Sequence, residues 1–145
     1  MTSQGVAGPL PATAQIRASL ACGLSGTVHT EDCSEGGLNL GAISYGDHAA
    51  YKYVDFGHGV QTFTASVAAD RPGGIVEIRL DGPLGKLIGR CSVPNTGGLQ
   101  TWTTRTCKVE GASGVRAVYL RFVTDTFAID ATGKLFKVAW FQFGR

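Results

Sequence analysis

GGIVEIRLDGPLGKLIGRCSV, residues 73–93, sets apolar and polar side chains in alternation. Val76, Ile78 and Leu80 fall on one face of an extended chain, and Glu77, Arg79 and Asp81 on the other. A period of two is the mark of a strand with one buried face. DGPLG at 81–85 then supplies the residues that reverse a chain. The same reading extends in both directions. QTFTASVA (61–68) turns Phe63, Ala65 and Val67 inward, and AVYLRFV (117–123) does so with Val118, Leu120 and Phe122. FKVAWFQF (136–143) puts Phe136, Val138 and Trp140 on one face and Lys137, Ala139 and Phe141 on the other. DRPGG (70–74), PNTGG (94–98), EGASG (110–114) and DATGK (130–134) punctuate these runs. No stretch carries a period of 3.6, so the expected fold is all-β: a two-sheet antiparallel β-sandwich of jelly-roll topology. A closed barrel is the alternative that periodicity does not separate from it.

Composition sets the outer limits. A chain of 145 residues fits one domain and can bury a core without help from a metal or partner. Residues 1–14 are small, polar and proline-bearing and read as a flexible tail or linker, leaving 15–145 as the module. A net charge of +2, with no run of Lys and Arg, points to neither nucleic acid nor an acidic membrane surface. No apolar run has the length of a membrane span, and the N-terminus lacks a signal-peptide pattern. The four cysteines nevertheless suggest an oxidising, extracellular compartment. They allow three complete pairings; Cys22–Cys33 and Cys91–Cys107 are favoured because each pair is close in sequence and brackets a turn. The competing reading is four free thiols.

Catalytic signatures are missing. The chain has no G-x-S-x-G, no phosphate-cradling glycine loop and no H-E-x-x-H. His29, His48 and His58 sit in three different contexts that suggest no shared metal. Glu31 with Asp47 or Asp125 is the carboxylate pair a glycosidase would need, but acids at turns and strand ends more often cap or face solvent. No catalytic residue is assigned.

The segment HTEDCSEGGLNLGAISYGDHAAYKYVDFG (29–57) resembles the opening of the family 6 carbohydrate-binding modules, which reads roughly Q-T-E-x-C-S-E-G-G-x-N-x-G-[YW]-I-x-x-G-D-W-x-x-Y. The likeness continues in order through residues 73–93, TGGLQTWTTRTCKV (96–109) and LFKVAWFQF (135–143). It implies a non-catalytic jelly roll appended to secreted polysaccharide-degrading enzymes, with a polysaccharide or oligosaccharide as ligand and a tethered catalytic domain as a further candidate partner. It also implies a loop cleft in which two aromatic rings clamp a sugar, while an Asn and a Glu hydrogen-bond its hydroxyls. Some members of the family use a second site on a sheet face.

The chain departs from that pattern at the cleft. Ala42 and Leu99 stand where the two rings belong, and Lys137 where the Asn belongs; Glu31 alone is retained. Three readings follow. In the first, the cleft is altered: Tyr45 supplies a ring, His48 replaces a common tryptophan, and the Lys137 cation favours an acidic glycan. In the second, a sheet face binds instead, with Tyr51, Tyr53, Phe63, Trp102 and Tyr119 as candidate rings. In the third, sugar binding is lost and the domain is a spacer or protein-contact sandwich, which an exposed Leu99 would suit. The resemblance further implies a structural calcium, whose side-chain ligands fall at Arg17, Ser19 and Ala139 here. Those residues are poor oxygen donors for a hard cation, so no metal or other cofactor is expected. A Cys22–Cys33 bridge is the candidate replacement for it.

Overall fold

The computed structural model describes residues 8–124 and 135–145. Asp125 and the DATGK cluster lie outside the described residues. The strands are β1 (Leu10–Pro11), β2 (Ile16–Arg17), β3 (Gly23–Leu24), β4 (His29–Asp32), β5 (Leu38–Gly41), β6 (His48–Asp55), β7 (Thr62–Ala69), β8 (Gly74–Leu80), β9 (Lys86–Val93), β10 (Gly98–Lys108), β11 (Val115–Thr124) and β12 (Lys137–Gly144). They form two sheets, β1-β6-β11-β8-β9 with β3 on β6, and β10-β7-β12-β5-β4 with β2 on β12. Among the described residues, only the short β1–β6 pair is parallel. Two separate sheets make this a sandwich and exclude the barrel. The turns at 70–74, 81–85, 94–98 and 110–114 each join the strands the sequence places around them.

The core is the layer between the sheets. Val76, Ile78 and Leu80 of β8 lie beside Phe122, Leu120 and Val118 of the neighbouring β11 on the inner face of the first sheet, with all six essentially inaccessible to solvent. Aromatic rings bridge the layer: Phe141 lies 4.8 Å edge-on from Tyr51 and 5.7 Å stacked from Phe63, and Phe143 lies 4.9 Å from Phe56. The buried Tyr51 hydroxyl donates to the carbonyl of Ala18 at 2.8 Å, so no polar group is left unsatisfied there.

Two expectations are corrected. The first concerns the tail. Leu10 and Pro11 pair with Val54 and Asp55, Ala12 is buried, and the Phe143 amide donates to the Ala12 carbonyl at 2.9 Å. The N-terminal segment therefore joins the fold from β1 onward; residues 1–7 are outside the described residues.

The second concerns the phase of β12. Val138 opposes Val67, but the next opposed pair is Trp140 with Ser66, so Ala139 is an extra residue. Such a bulge reverses the inward and outward alternation beyond it. Phe141 and Phe143 therefore fill the core, while Trp140 turns out and is half-buried.

The four cysteines are unbridged in the structure. Cys22 leads into β3 of the first sheet and its amide donates to Ala50; Cys33 follows β4 of the second, and its amide donates to Gly37. Different sheets hold the two. Cys91 and Cys107 are brought together from β9 and β10, edge strands of opposite sheets, close enough for the two thiols to influence one another.

Candidate functional site

At one end of the second sheet, four strands deliver polar side chains to a common point. In the β4–β5 hairpin, Glu31 opposes Asn39 and His29 opposes Gly41. Leu40 points into the core, so its neighbours Asn39 and Gly41 present the other face, with Glu31 across from them. β12 begins with Lys137, immediately before the buried Val138. β10 begins at Gly98 with a register shift, which carries Leu99 and Gln100 over the same corner.

The contacts form one network. The Lys137 ammonium pairs with Glu31 Oε2. Gln100 Nε2 donates to the same carboxylate oxygen at 3.2 Å and to Asn39 Oδ1 at 3.1 Å. Gln100 is held in turn by Ser34, whose amide donates to Gln100 Oε1 at 2.8 Å and whose hydroxyl donates to the Gln100 carbonyl at 2.9 Å. Trp102 Nε1 donates to Ser34 Oγ at 3.1 Å. The ring of His29 lies beside the other carboxylate oxygen, with Nε2 3.9 Å from Oε1. Gly41 makes room for the carboxylate: a Cβ there would stand 2.2 Å from Glu31 Oε1.

Burial pulls the Glu31 pKa upward. Hydrogen bonds from Lys137 and Asn39, with the charges of Lys137 and His29, outweigh it and hold the carboxyl below its ordinary value. The Glu31 side chain is 26% exposed and that of Lys137 19%, so the pair is partly desolvated yet open to a ligand.

Ala42 and Leu99 flank this network through their neighbours Gly41 and Gln100. Ala42 adopts a left-handed φ of 54°, and its carbonyl accepts from Thr27 Oγ1 at 2.9 Å. Leu99 is half-buried, not an exposed anchor. Tyr45 stands 55% exposed on the loop leading from Ala42. Asp47 pins that loop, accepting from the Ser44 amide at 2.9 Å and Ser25 Oγ at 3.1 Å, so its carboxylate serves a turn.

The structure does not bring His48 to this point. It lies on β6 of the first sheet, opposite Arg121, with its ring 5.7 Å from that of Tyr119. Of the other candidate rings, Tyr51 and Phe63 are core, and Tyr53 and Tyr119 belong to the first sheet. Trp102 is half-buried within the Glu31 network. Sequence reasoning missed Gln100, Asn39 and Ser34, although all three stand inside the quoted motifs. A hollow of about 690 Å³ lies at the far end of β10 and β12, lined in part by His58, Gln61, Lys108 and Arg145, and shares no residue with the Glu31 network.

Residues 21–145 match the family described as carbohydrate binding module (family 6). The chain is 44% identical over 103 residues to the arabinoxylan arabinofuranohydrolase of Bacillus subtilis (strain 168), a stretch that covers 70% of the chain and 19% of that enzyme. It is thus similar to a minor part of a much longer protein. A family 6 module from Clostridium cellulolyticum, solved in complex with xylose, superposes with a TM-score of 0.85 at 44% identity, covering 93% of this chain and 99% of that one. A β-1,3-glucan-binding module from Bacillus halodurans superposes at 0.86 with 36% identity, covering 95% of this chain and 100% of the other.

Proposed function

The chain belongs to family 6 of the carbohydrate-binding modules, a non-catalytic family, and from that premise we propose that the Glu31–Lys137–Gln100 network is its glycan subsite and that the glycan is neutral. The observation that carries this reading is the ion pair. Lys137 stands where an acidic ligand would find its cation, but its charge is already matched by Glu31. A uronate or sulfate entering the site would meet the Glu31 carboxylate as well as the ammonium. A neutral sugar suits the pair: its hydroxyls donate to the carboxylate and accept from the ammonium and amide, without an unpaired charge being buried. This replaces the expectation of an acidic glycan. The half-buried Leu99 also removes the main support for a protein-contact surface.

Tyr45, exposed on the loop that follows Ala42, is the ring this reading assigns as the apolar platform for a pyranose face. The similar proteins narrow the class, since one acts in arabinoxylan breakdown, one is bound to xylose and one binds β-1,3-glucan. We take the ligand to be a β-linked xylan or glucan chain, bound with a Kd of about 1 μM to 1 mM. Tethering to a catalytic domain in an extracellular enzyme converts such weak binding into a raised local concentration. A panel of neutral xylan and β-glucan against a polyuronate, at low and moderate salt, tests the reading. Retention on the neutral polymers that is indifferent to salt supports it; salt-sensitive retention on the polyuronate alone, abolished by Lys137→Ala, overturns it.

A further inference from the structure

The family resemblance implies a structural calcium, and the residues at its ligand positions can be tested for fit. Arg17 on β2 opposes Trp140 on β12, so Ala139 adjoins the strand pair that carries Arg17, and Ser19 follows two residues on. Two of the three positions are thus adjacent in space, but they offer a guanidinium and a methyl group, with a single hydroxyl at the third. Calcium takes six to eight oxygen ligands, with carboxylates prominent among them. Among the described residues, no group of three or more His, Cys, Asp or Glu side chains gathers there or elsewhere. The set does not fit calcium.

A different cation is in place. Arg17 Nη2 donates to the carbonyl of Leu38 at 2.9 Å and to that of Gly36 at 3.2 Å. Gly36 lies in the turn between β4 and β5 and Leu38 opens β5, in the hairpin that presents Glu31 and Asn39. Gly37 closes over the guanidinium: its φ is +70°, and a Cβ there would stand 2.9 Å from Nη2. The turn is therefore shaped around the arginine. Backbone carbonyls are the donors a hard cation would coordinate; here they accept from a fixed organic cation instead.

We propose that Arg17 does the work of the structural metal in this chain, clasping β2 to the β4–β5 turn, and that the fold is independent of calcium. Thermal unfolding after exhaustive chelation and again in millimolar calcium tests this. The wild-type Tm is expected to agree within about 1 °C between the two conditions. Arg17→Ala is expected to lower it by about 4–8 °C, the loss calcium does not restore, with Arg17→Lys falling between. Two results would overturn the proposal: a chelated wild type that loses several degrees and regains them with calcium, or an Arg17→Ala protein with the wild-type Tm. Metal analysis of the purified wild type gives a readout that needs no variant, since one tightly held calcium per chain also overturns it.

Discussion

Glu31 is placed by what surrounds it more than by its own strand. Gly41 clears space for the carboxylate, Lys137 neutralises it and Gln100 fixes its direction. Gly41→Ala should separate site from stability. The new methyl group would displace only the end of a flexible side chain, so Tm should change little, while affinity for a xylo-oligosaccharide should fall about tenfold or more, equivalent to about 1.4 kcal/mol or greater. Calorimetric titration beside a melting curve reads both. Leu99→Trp should act in the opposite sense. A flat ring at that corner adds a stacking partner worth about 0.5–1.5 kcal/mol beyond its area, and should tighten binding by roughly two- to tenfold. The departures at Ala42, Leu99 and Lys137 were legible in the sequence because they interrupt a motif. What Lys137 pairs with was not: its partner is 106 residues away, and only the order β12-β5-β4 brings them together.

At the scale of the element, β12 shows how one residue redirects a strand. FKVAWFQF alternates well enough on paper to put Trp140 beside Val138, but the bulge at Ala139 puts Phe141 and Phe143 in the core instead. Phe141→Ala is therefore predicted to cost about 3–5 kcal/mol, and Trp140→Ala no more than about 1.5 kcal/mol, when each is measured by denaturant unfolding. The reverse order would contradict the observed phase. β8 and β11 hold no such irregularity against one another, and there the alternation of the sequence is the alternation of the structure. Period-two reading succeeds where strands pair in unbroken register. It fails at bulges, which leave no mark in hydrophobicity alone. Cys22 is exposed, and a thiol reagent should label it in the native state well before the buried Cys33 and Cys91.

For the molecule as a whole, charge matters at a few partly buried points rather than through its small net value. Glu77 lies on the first sheet between Arg79 Nε at 3.0 Å and Arg121 Nη1 at 3.2 Å. Burial pushes its pKa up, but hydrogen bonds and charges from both arginines prevail and hold it below the usual range, as Lys137 and Asn39 do for Glu31. A carboxyl whose folded pKa is depressed contributes stability that is fully present above its unfolded pKa, about 4.3, and is lost as pH falls through the lower folded value. Tm should accordingly hold from neutral pH to about 5 and fall below about 4, and Glu77→Gln should flatten that fall. The sandwich itself was legible from strand period and turn chemistry, because those are local. The site was legible only in outline, because it is assembled from a hairpin and two further strands distant in sequence. The most direct test of that assembly is a calorimetric titration of the wild type and Glu31→Gln with a xylo-oligosaccharide at low and moderate salt. The account predicts wild-type binding with a Kd of about 1 μM to 1 mM that is indifferent to salt, and its loss in Glu31→Gln with the fold intact; equal affinity in the two proteins would contradict it.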